Sequence, residues 1–425
     1  MFKRVPVRAR RVTAAICFCA ILLVVTCATQ MLFERKYSYT KYYDFYAQKQ
    51  DFDVLFLGTS HVLNAVYPME LWRDYGIVSY NMANHSENIC TNYWQLRNAL
   101  QYTKPEVVVV DLYAVDGDSK VNEQYLHNFT DQMPFSALKV QMVWDLLEPK
   151  KRMEYLFNLS LYHSRWEELG AEDLKPVKGL EKGAEFRDDV TYNDPPALIP
   201  QDMYDSTDRI NKRYLQKIID LCREEDIDII LMYLPYTMPE SHLRVANWGY
   251  VSAENNGIVY LNFVYEDIDI NYATDCADEG HHLNASGARK ITDYLGRYLT
   301  EQYNVADHRE DPEYAFWHQD YAEYRELKQG WLNHQKDAWS YLLQLNDRDY
   351  VTKIYASDGN YLFRDSEMRA LVDNIGVYGK VECLDSLTDA GEDCFAVEVY
   401  AAGSGELLDT RTYDRVAEDA YRLRE

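Results

Sequence analysis

The run Glu106–Leu112, EVVVVDL, does most to decide how this chain folds. Four consecutive β-branched residues with no polar alternation make a strand buried on both faces, and such strands belong to the interior of parallel sheets. Three further short apolar runs resemble it: DVLFL at Asp53–Leu57, DIDIILMYL at Asp226–Leu234 and IVYLNF at Ile258–Phe263. Helical patterns separate them. NYWQLRNALQY (Asn92–Tyr102) ends ahead of Lys104-Pro105. TDRINKRYLQKIIDLCREE (Thr207–Glu225) places Ile210, Tyr214, Ile218 and Leu221 on one face behind the capping candidates Asp205 and Ser206. Strands alternating with helices predict an α/β domain with a doubly wound parallel sheet.

The domain does not fill the chain. At 425 residues there is room for a second, smaller domain. More than a hundred residues separate the second and third strand runs, too many for one crossover, so residues 116–205 read as an insertion that caps or lines a site. It contains two helical patterns, FSALKVQMVWDLL and EYLFNLSLYHSRWEEL, and His163, Arg165 and Trp166 in the latter read as a packed helix stripe, with a reach over the site as the alternative. The main domain is expected over 51–305. Residues 306–339 are charged, aromatic and helical in pattern, a linker into a small α+β domain at 340–425. Strand-like runs occur there at Tyr350–Tyr355, Cys394–Tyr400 and Glu406–Tyr413, punctuated by Asp358-Gly359, Gly391, Gly403 and Gly405.

The other end of the chain is of a different kind. Val12–Phe33, VTAAICFCAILLVVTCATQMLF, is uncharged over 22 residues, enough to span a bilayer core. Five basic residues among the first eleven orient it with the N-terminus inside, a cytoplasmic tail of residues 1–11 and the body outside. A cleaved signal peptide and a lipoprotein cleaved at Cys27 are the rivals. Cys27-Ala28-Thr29 is a poor peptidase site and Thr26 is large for lipoprotein processing, so the reading is an uncleaved single anchor followed by a polar stalk at 34–50.

Charge and cysteines narrow the partners. The formal net charge is −25, so beyond the basic tail the body carries −30, with no basic patch to meet phosphates; nucleic acid is excluded. Five cysteines lie outside the anchor (Cys90, Cys222, Cys276, Cys383 and Cys394) with no C-x-x-C pair, neither a disulfide framework nor a zinc pattern; free buried thiols are the reading, with a Cys383–Cys394 bridge as the alternative. No metal-ligand pattern and no cofactor motif is evident. The 37 tyrosines offer flat apolar faces with hydroxyls, suited to sugars and equally to amphipathic surfaces.

Two polar blocks carry the chemistry. LFLGTSHV, residues 55–62, ends the first strand on Gly58-Thr59-Ser60-His61. Glycine there permits a sharp exit turn, and the carboxyl end of a strand in an open α/β sheet is where ligands bind. Ser60 would stand at the rim beside a helix N-terminus that favours an oxyanion, although serine is also an ordinary helix cap at such a place. The second block is DEGHHLNASGARKITDYLG, Asp278–Gly296. A nucleophilic serine needs a base to take its proton and the base needs a carboxylate to orient it; an acid three or four residues before a histidine on one loop supplies both.

Together, a G-x-S after the first strand and a late Asp–His block running into H-L-N-x-x-G resemble the SGNH/GDSL hydrolase superfamily, over about residues 51–300. The anchor and the P-x-x-L-W at Pro68–Trp72 are similar to its membrane-bound branch, which includes polysaccharide O-acetylation proteins. The resemblance implies a flavodoxin-like three-layer sandwich. It implies Ser60 as nucleophile, His282 as base and Asp278 as the orienting acid, with Glu279 and His281 in reserve because the loop is one residue longer than the common form. The family's oxyanion hole takes a glycine from a second block, which here is SYNMANHSEN with none. Asn81 and Asn84 stand in as donors, and the third block's Gly-x-Asn-Asp is replaced by Asp111-Leu112-Tyr113. His61 is a substrate-binding candidate or a helix-start cap, and His85 a pocket or surface residue. The implied activity is an extracytoplasmic serine esterase or O-acyltransferase acting on a cell-envelope glycan or glycopolymer, with a membrane-embedded acyl exporter as partner in the transferase version. A catalytically degenerate domain that binds glycan or docks a partner is the alternative.

Overall fold

The computed structural model describes residues 7–34, 41–48, 50–117, 120–175, 178–357, 359–384, 394–417 and 420–424. Residues 1–6 of the expected tail, 35–40 and 49 of the expected stalk, and the turn residues Asp358 and Gly391 lie outside the described residues. The chain divides into two compact units, Met1–Gln48 with Val121–Gly179, and Lys49–Lys120 with Leu180–Glu425. Residues 121–179 of the 116–205 segment thus fall in the first unit and residues 180–205 in the second.

The first unit is helical. Helix Arg8–Phe33 is long and apolar enough to cross a membrane. Its last turn leaves carbonyls without intrahelical partners, and Arg165 caps them: Nη1 donates to the carbonyls of Phe33 (2.9 Å) and Glu34 (2.6 Å), while Nη2 meets Asp173 at 2.7 Å. The expected helix stripe at His163, Arg165 and Trp166 is not made. His163–Glu167 is a 3-10 turn, which splays the three side chains: Arg165 is buried as the cap and Trp166 is exposed.

The second unit holds the predicted parallel sheet, built from β1 (Val54–Leu57), β2 (Ser79–Asn81), β3 (Val107–Asp111), β4 (Asp228–Tyr233) and β5 (Val259–Asn262) in the order β2-β1-β3-β4-β5. Every pairing is parallel, with Val54 opposite Ser79 and Val107 at the head of the register. All of β3 is buried, as its valines require. One face of the sheet, including Val54, Phe56, Val107, Val109, Ile230 and Met232, packs on Ile291, Leu295 and Leu299 of helix Ala285–Tyr303. Helices Ile89–Ala99 and Arg209–Glu224 pack together within the same three-layer sandwich. The edge strand β2, three residues long and too short to show a period, has no counterpart in the sequence reading. Its Asn81 N–H donates to Lys182 (3.0 Å), so the chain after residue 180 covers that edge.

Two minimal strands follow, β6 (Cys276–Ala277) and β7 (His282–Leu283), paired antiparallel as a hairpin. The expected C-terminal α+β domain is present: a sheet of β8 (Tyr350–Tyr355), β9 (Lys380–Leu384), β10 (Cys394–Ala401), β11 (Leu407–Ala417) and β12 (Ala420–Leu423), ordered β12-β11-β10-β8-β9, with helices Ala338–Gln344 and Ser366–Tyr378 in its core. Among the described residues Cys222, Cys276, Cys383 and Cys394 are free thiols, but Cys383 is exposed rather than buried because β9 is an edge strand that turns its residues outward. Buried charges tie this domain to the sandwich: Asp347, fully buried, accepts from Arg73 (2.8 Å), Arg289 (2.8 Å) and Lys328 (2.7 Å).

Candidate active site

In the strand order 2-1-3-4-5 the crevice for ligands opens where the winding reverses, outside the carboxyl ends of β1 and β3. Both polar blocks meet there. β1 runs through Gly58 and Thr59 into helix Ser60–Ala65, with the Thr59 hydroxyl accepting from the His61 N–H at 3.3 Å. Gly58 is required for space and not for a left-handed turn. It has no positive φ, but a Cβ there would lie 2.4 Å from Val62 Cγ2 and 3.1 Å from Asp111 Cβ. As the first residue of the helix, Ser60 keeps a backbone N–H with no intrahelical acceptor.

The hairpin brings the partners. His282 Nε2 lies 2.8 Å from Ser60 Oγ, and His282 Nδ1 lies 3.2 Å from Asp278 Oδ2. With the proton on Nδ1, donated to the carboxylate, the Nε2 lone pair faces the serine hydroxyl. The extra loop residue is absorbed by three successive left-handed residues, Asp278 (φ 53°), Glu279 (φ 55°) and Gly280 (φ 84°). At Gly280 a Cβ would meet Asn193 Oδ1 and Thr237 Oγ1, each at 2.6 Å. The resulting turn sends the reserve candidates outward: Glu279 and His281 are exposed, and neither bonds to Ser60 or His282. Burial holds the His282 imidazole below the ordinary histidine value, and the nearby Arg187 cation adds to this; the Asp278 contact only partly offsets them. His282 is therefore neutral at neutral pH, the form a base needs.

A serine on this loop, with acid and histidine on one late hairpin of a 2-1-3-4-5 parallel sheet, is the arrangement that the resemblance to the SGNH hydrolases implies. No family model matches the chain, and no curated protein matches it. Among solved structures it is similar to the psychrotrophic esterase EstA from Pseudoalteromonas sp., inhibited by monoethylphosphonate (12% identity, 59% of this chain and 99% of that one, TM-score 0.31). It is similar also to a GDSL-like lipase from Bacteroides thetaiotaomicron (10% identity, 64% and 95%, TM-score 0.29) and to TesA (10% identity, 58% and 97%, TM-score 0.29).

The remaining candidates of the SGNH-type domain separate clearly. Asn81 is buried with its amide in use: Nδ2 donates to the carbonyls of Val62 (2.8 Å) and Val66 (3.0 Å) and Oδ1 accepts from the Ala83 N–H. It holds helix Ser60–Ala65 against β2, and with both amide hydrogens engaged it offers no donor to an oxyanion. Asn84 differs. Its Oδ1 accepts from the His85 N–H at 2.8 Å, while its buried Nδ2 has no partner among the described residues. The loop still bends without a glycine, through Ser86 at φ 49°. His61 is buried rather than capping; its ring lies 4.0 Å from Tyr113, 4.7 Å from Tyr236 and 5.1 Å from His282, and burial keeps it well below the ordinary histidine value. His85 is half-buried and pairs with Glu185 at 2.9 Å.

A cavity of about 450 Å³ opens over the serine, lined by Ser60, His61, Ser86, Tyr113, Asp116 and His282 among others. Sequence reasoning missed the chain segment that runs beside it. The Ala285 N–H donates to the carbonyl of Arg187, and the Asp278 N–H donates to Asp189 Oδ2 at 2.8 Å. It also missed the pair His242–Asp116 (3.3 Å), which Tyr233 joins through Asp116 (2.8 Å). Neither carries a motif. The position of Asp116 and Tyr113 just after the central strand was the one usable signal. Asp111, where the family's third block would lie, is fully buried; burial raises its pKa to about 7 against the hydrogen bonds from the Tyr113 and Leu234 N–H groups that lower it. It joins the ends of β3 and β4 and takes no place in the cavity lining.

Proposed function

We propose that this chain is a membrane-anchored, extracytoplasmic serine esterase or O-acyltransferase that acts on esters of a cell-envelope polysaccharide. The observation that carries the reading is the continuous array Ser60–His282–Asp278, with 2.8 Å and 3.2 Å contacts and a neutral imidazole. Ser60 Oγ attacks the ester carbonyl as His282 Nε2 takes its proton. The oxyanion is met by the Ser60 N–H and the Asn84 amide. Collapse breaks the ester C–O bond, and His282 returns the proton to the departing alcohol. Water or a sugar hydroxyl, deprotonated by His282, then takes the acyl group from Ser60. Helix Arg8–Phe33 serves as the anchor, and tyrosines at the cavity such as Tyr113 offer faces for a sugar ring. A membrane acyl exporter is the donor in the transferase version.

The test is labelling with a fluorophosphonate and turnover of p-nitrophenyl acetate by the full chain. Ser60 should take the label and Ser60→Ala should not; an intact fold that takes none refutes catalysis. The second reading, a degenerate domain that binds glycan or docks a partner, is favoured by one observation, the engagement of Asn81 in structure rather than at the site. It expects envelope acylation unchanged by Ser60→Ala.

A further inference from the structure

The hairpin that carries Asp278 and His282 is poorly equipped to hold itself. It has two residue pairs, Cys276 with Leu283 and Ala277 with His282. A hairpin so short has little stability of its own, and its turn contains two non-glycine residues, Asp278 and Glu279, in the left-handed region. Such conformations cost on the order of 1–3 kcal/mol each and persist only where the surroundings impose them. The imposing contacts are therefore part of the site.

Some come from the sandwich itself. Asn284 ties the two ends together: its N–H donates to the carbonyl of Asp275, and its Nδ2 donates to the carbonyls of Thr274 (2.8 Å) and Cys276 (3.1 Å). The decisive one comes from the other domain. Asn374, in helix Ser366–Tyr378, donates from Nδ2 to Asp275 Oδ1 (2.8 Å), to Ser286 Oγ (2.7 Å) and to Thr274 Oγ1 (3.3 Å). Thr274 and Asp275 enter the hairpin and Ser286 leaves it, so one amide spans both ends. Asn346 reinforces this, donating to the same Ser286 Oγ at 2.8 Å. The other Asp275 oxygen is held by Lys290 at 2.7 Å and by the Asn271 N–H at 2.8 Å. Thr274, Asp275, Ser286, Asn346 and Asn374 are all buried.

We propose that Asn374 is a positioning residue for the Ser60–His282 pair, and that the C-terminal domain is through it a working part of the active site. The assignment rests on the esterase or acyltransferase reading. It gives residues 340–425 a role that needs no ligand of their own: they clamp the base of a strained two-pair hairpin from outside the sandwich.

The experiment compares the full-length wild type, Asn374→Ala and a control, Val397→Ala, which hollows the core of the same domain far along β10. The second-order rate of Ser60 labelling by a fluorophosphonate separates positioning from folding. Unfolded molecules lower the labelled fraction but not the rate of those that react. Misplacement of a catalytic group by about 1 Å costs roughly 10²-fold, so Asn374→Ala should label about 10- to 100-fold more slowly, whereas Val397→Ala should label at the wild-type rate with a smaller amplitude. Amide hydrogen exchange over residues 275–284 should also quicken in Asn374→Ala and not in Val397→Ala. Wild-type labelling rates and hairpin exchange in Asn374→Ala overturn the inference. If the wild type takes no label, the catalytic reading falls, and exchange alone then decides whether Asn374 holds the hairpin.

Discussion

Ser60 Oγ and His282 Nε2 lie 2.8 Å apart although 222 positions separate them in the chain. Two loops that share no local sequence are brought to one rim by the sheet order, and what each contributes is separable. Ser60→Ala removes the proposed nucleophile and should lower kcat by at least about 10⁴-fold, what remains being the part that oxyanion donors and binding alone supply. Asp278→Asn keeps a hydrogen-bond acceptor but not the charge that fixes the tautomer. Since Asp278 is 51% exposed, water screens part of its effect, and a loss of about 10²-fold is expected. Glu279→Gln and His281→Gln should stay within about threefold of wild type, as neither side chain reaches the pair. Steady-state hydrolysis of p-nitrophenyl acetate measures all four, and a Glu279→Gln loss equal to that of Asp278→Asn would reverse the assignment.

The pH dependence has a definite sign. His282 must be neutral to accept the serine proton, and its pKa is lowered by burial first and by Arg187 next. Activity should therefore persist below pH 6.5 and fail only as the pH drops through the lowered value. The charged and titratable groups around it are Asp278 on its own hairpin, Arg187, His85 and the neutral His61. Removing the cation in Arg187→Gln should move the acid limb of kcat/KM upward, while losing Asp278 should move it downward. A limb that Arg187→Gln leaves in place would show that the cation does not act on the base.

Asn84 tests the oxyanion assignment. Its buried Nδ2 has no acceptor among the described residues, whereas both Asn81 Nδ2 contacts are structural. Loss of one oxyanion donor costs roughly 10²–10³ in kcat, so Asn84→Ala should fall by that factor with KM little changed. Asn81→Ala should instead appear as a loss of thermal stability, because it leaves the carbonyls of Val62 and Val66, in and just after helix Ser60–Ala65, without their donor.

Four of the five sheet strands were legible because valine and isoleucine runs admit few alternatives, and β2 was not because three residues show no period. The serine and histidine blocks were legible because strand ends and helix starts carry local signals: Gly58 before the turn, Asn284 capping the next helix. Gly58 was read as permitting a sharp exit turn; what the fold demands of it is room beside Val62, at a φ that is not positive. Asn81 and Asn84 look alike in sequence; only the position of the carbonyls around each distinguishes a structural amide from a free donor. Asn374 and Asp189 were invisible, since their importance comes entirely from what the fold sets beside them.

The crowding at Gly58 gives a test of that need for room. Gly58→Ala would put a methyl group 2.4 Å from Val62 Cγ2, and relief requires helix Ser60–Ala65 to move. Overpacking of this kind costs typically about 1–3 kcal/mol, and here it should also slow Ser60 labelling. Val62→Ala removes the clashing methyl groups, so the double variant should recover the labelling rate even though Val62→Ala alone destabilises. If the need were for an unusual φ, no change at Val62 would help.

Asp347 anchors the C-terminal domain to the sandwich, and its charge balance predicts a large effect. Burial alone would raise its pKa, but Arg289, Lys328 and Arg73 outweigh that and hold it well below the usual carboxylate range. Removing one member of a buried ion group leaves the others uncompensated, at a cost of about 3–5 kcal/mol. Asp347→Ala withdraws one buried carboxylate from three cations: Arg73 and Arg289 keep Glu70 (3.4 Å and 3.0 Å), Arg73 also keeps Asp74, and Lys328 keeps Asp349 (2.6 Å). The same carboxylate gives the acid limit of stability its sign: a lowered native pKa contributes stability above the unfolded value near 3.8, and this is lost as pH falls below it. Thermal melts of Asp347→Ala at neutral pH should fall steeply, and the difference from wild type should shrink as the pH is lowered below about 4. In the double variant Arg289→Met/Asp347→Ala the loss should be smaller than the sum of the single losses, because the two residues share one contact. Additive losses would mean that Asp347 acts through packing and not through the charges it gathers.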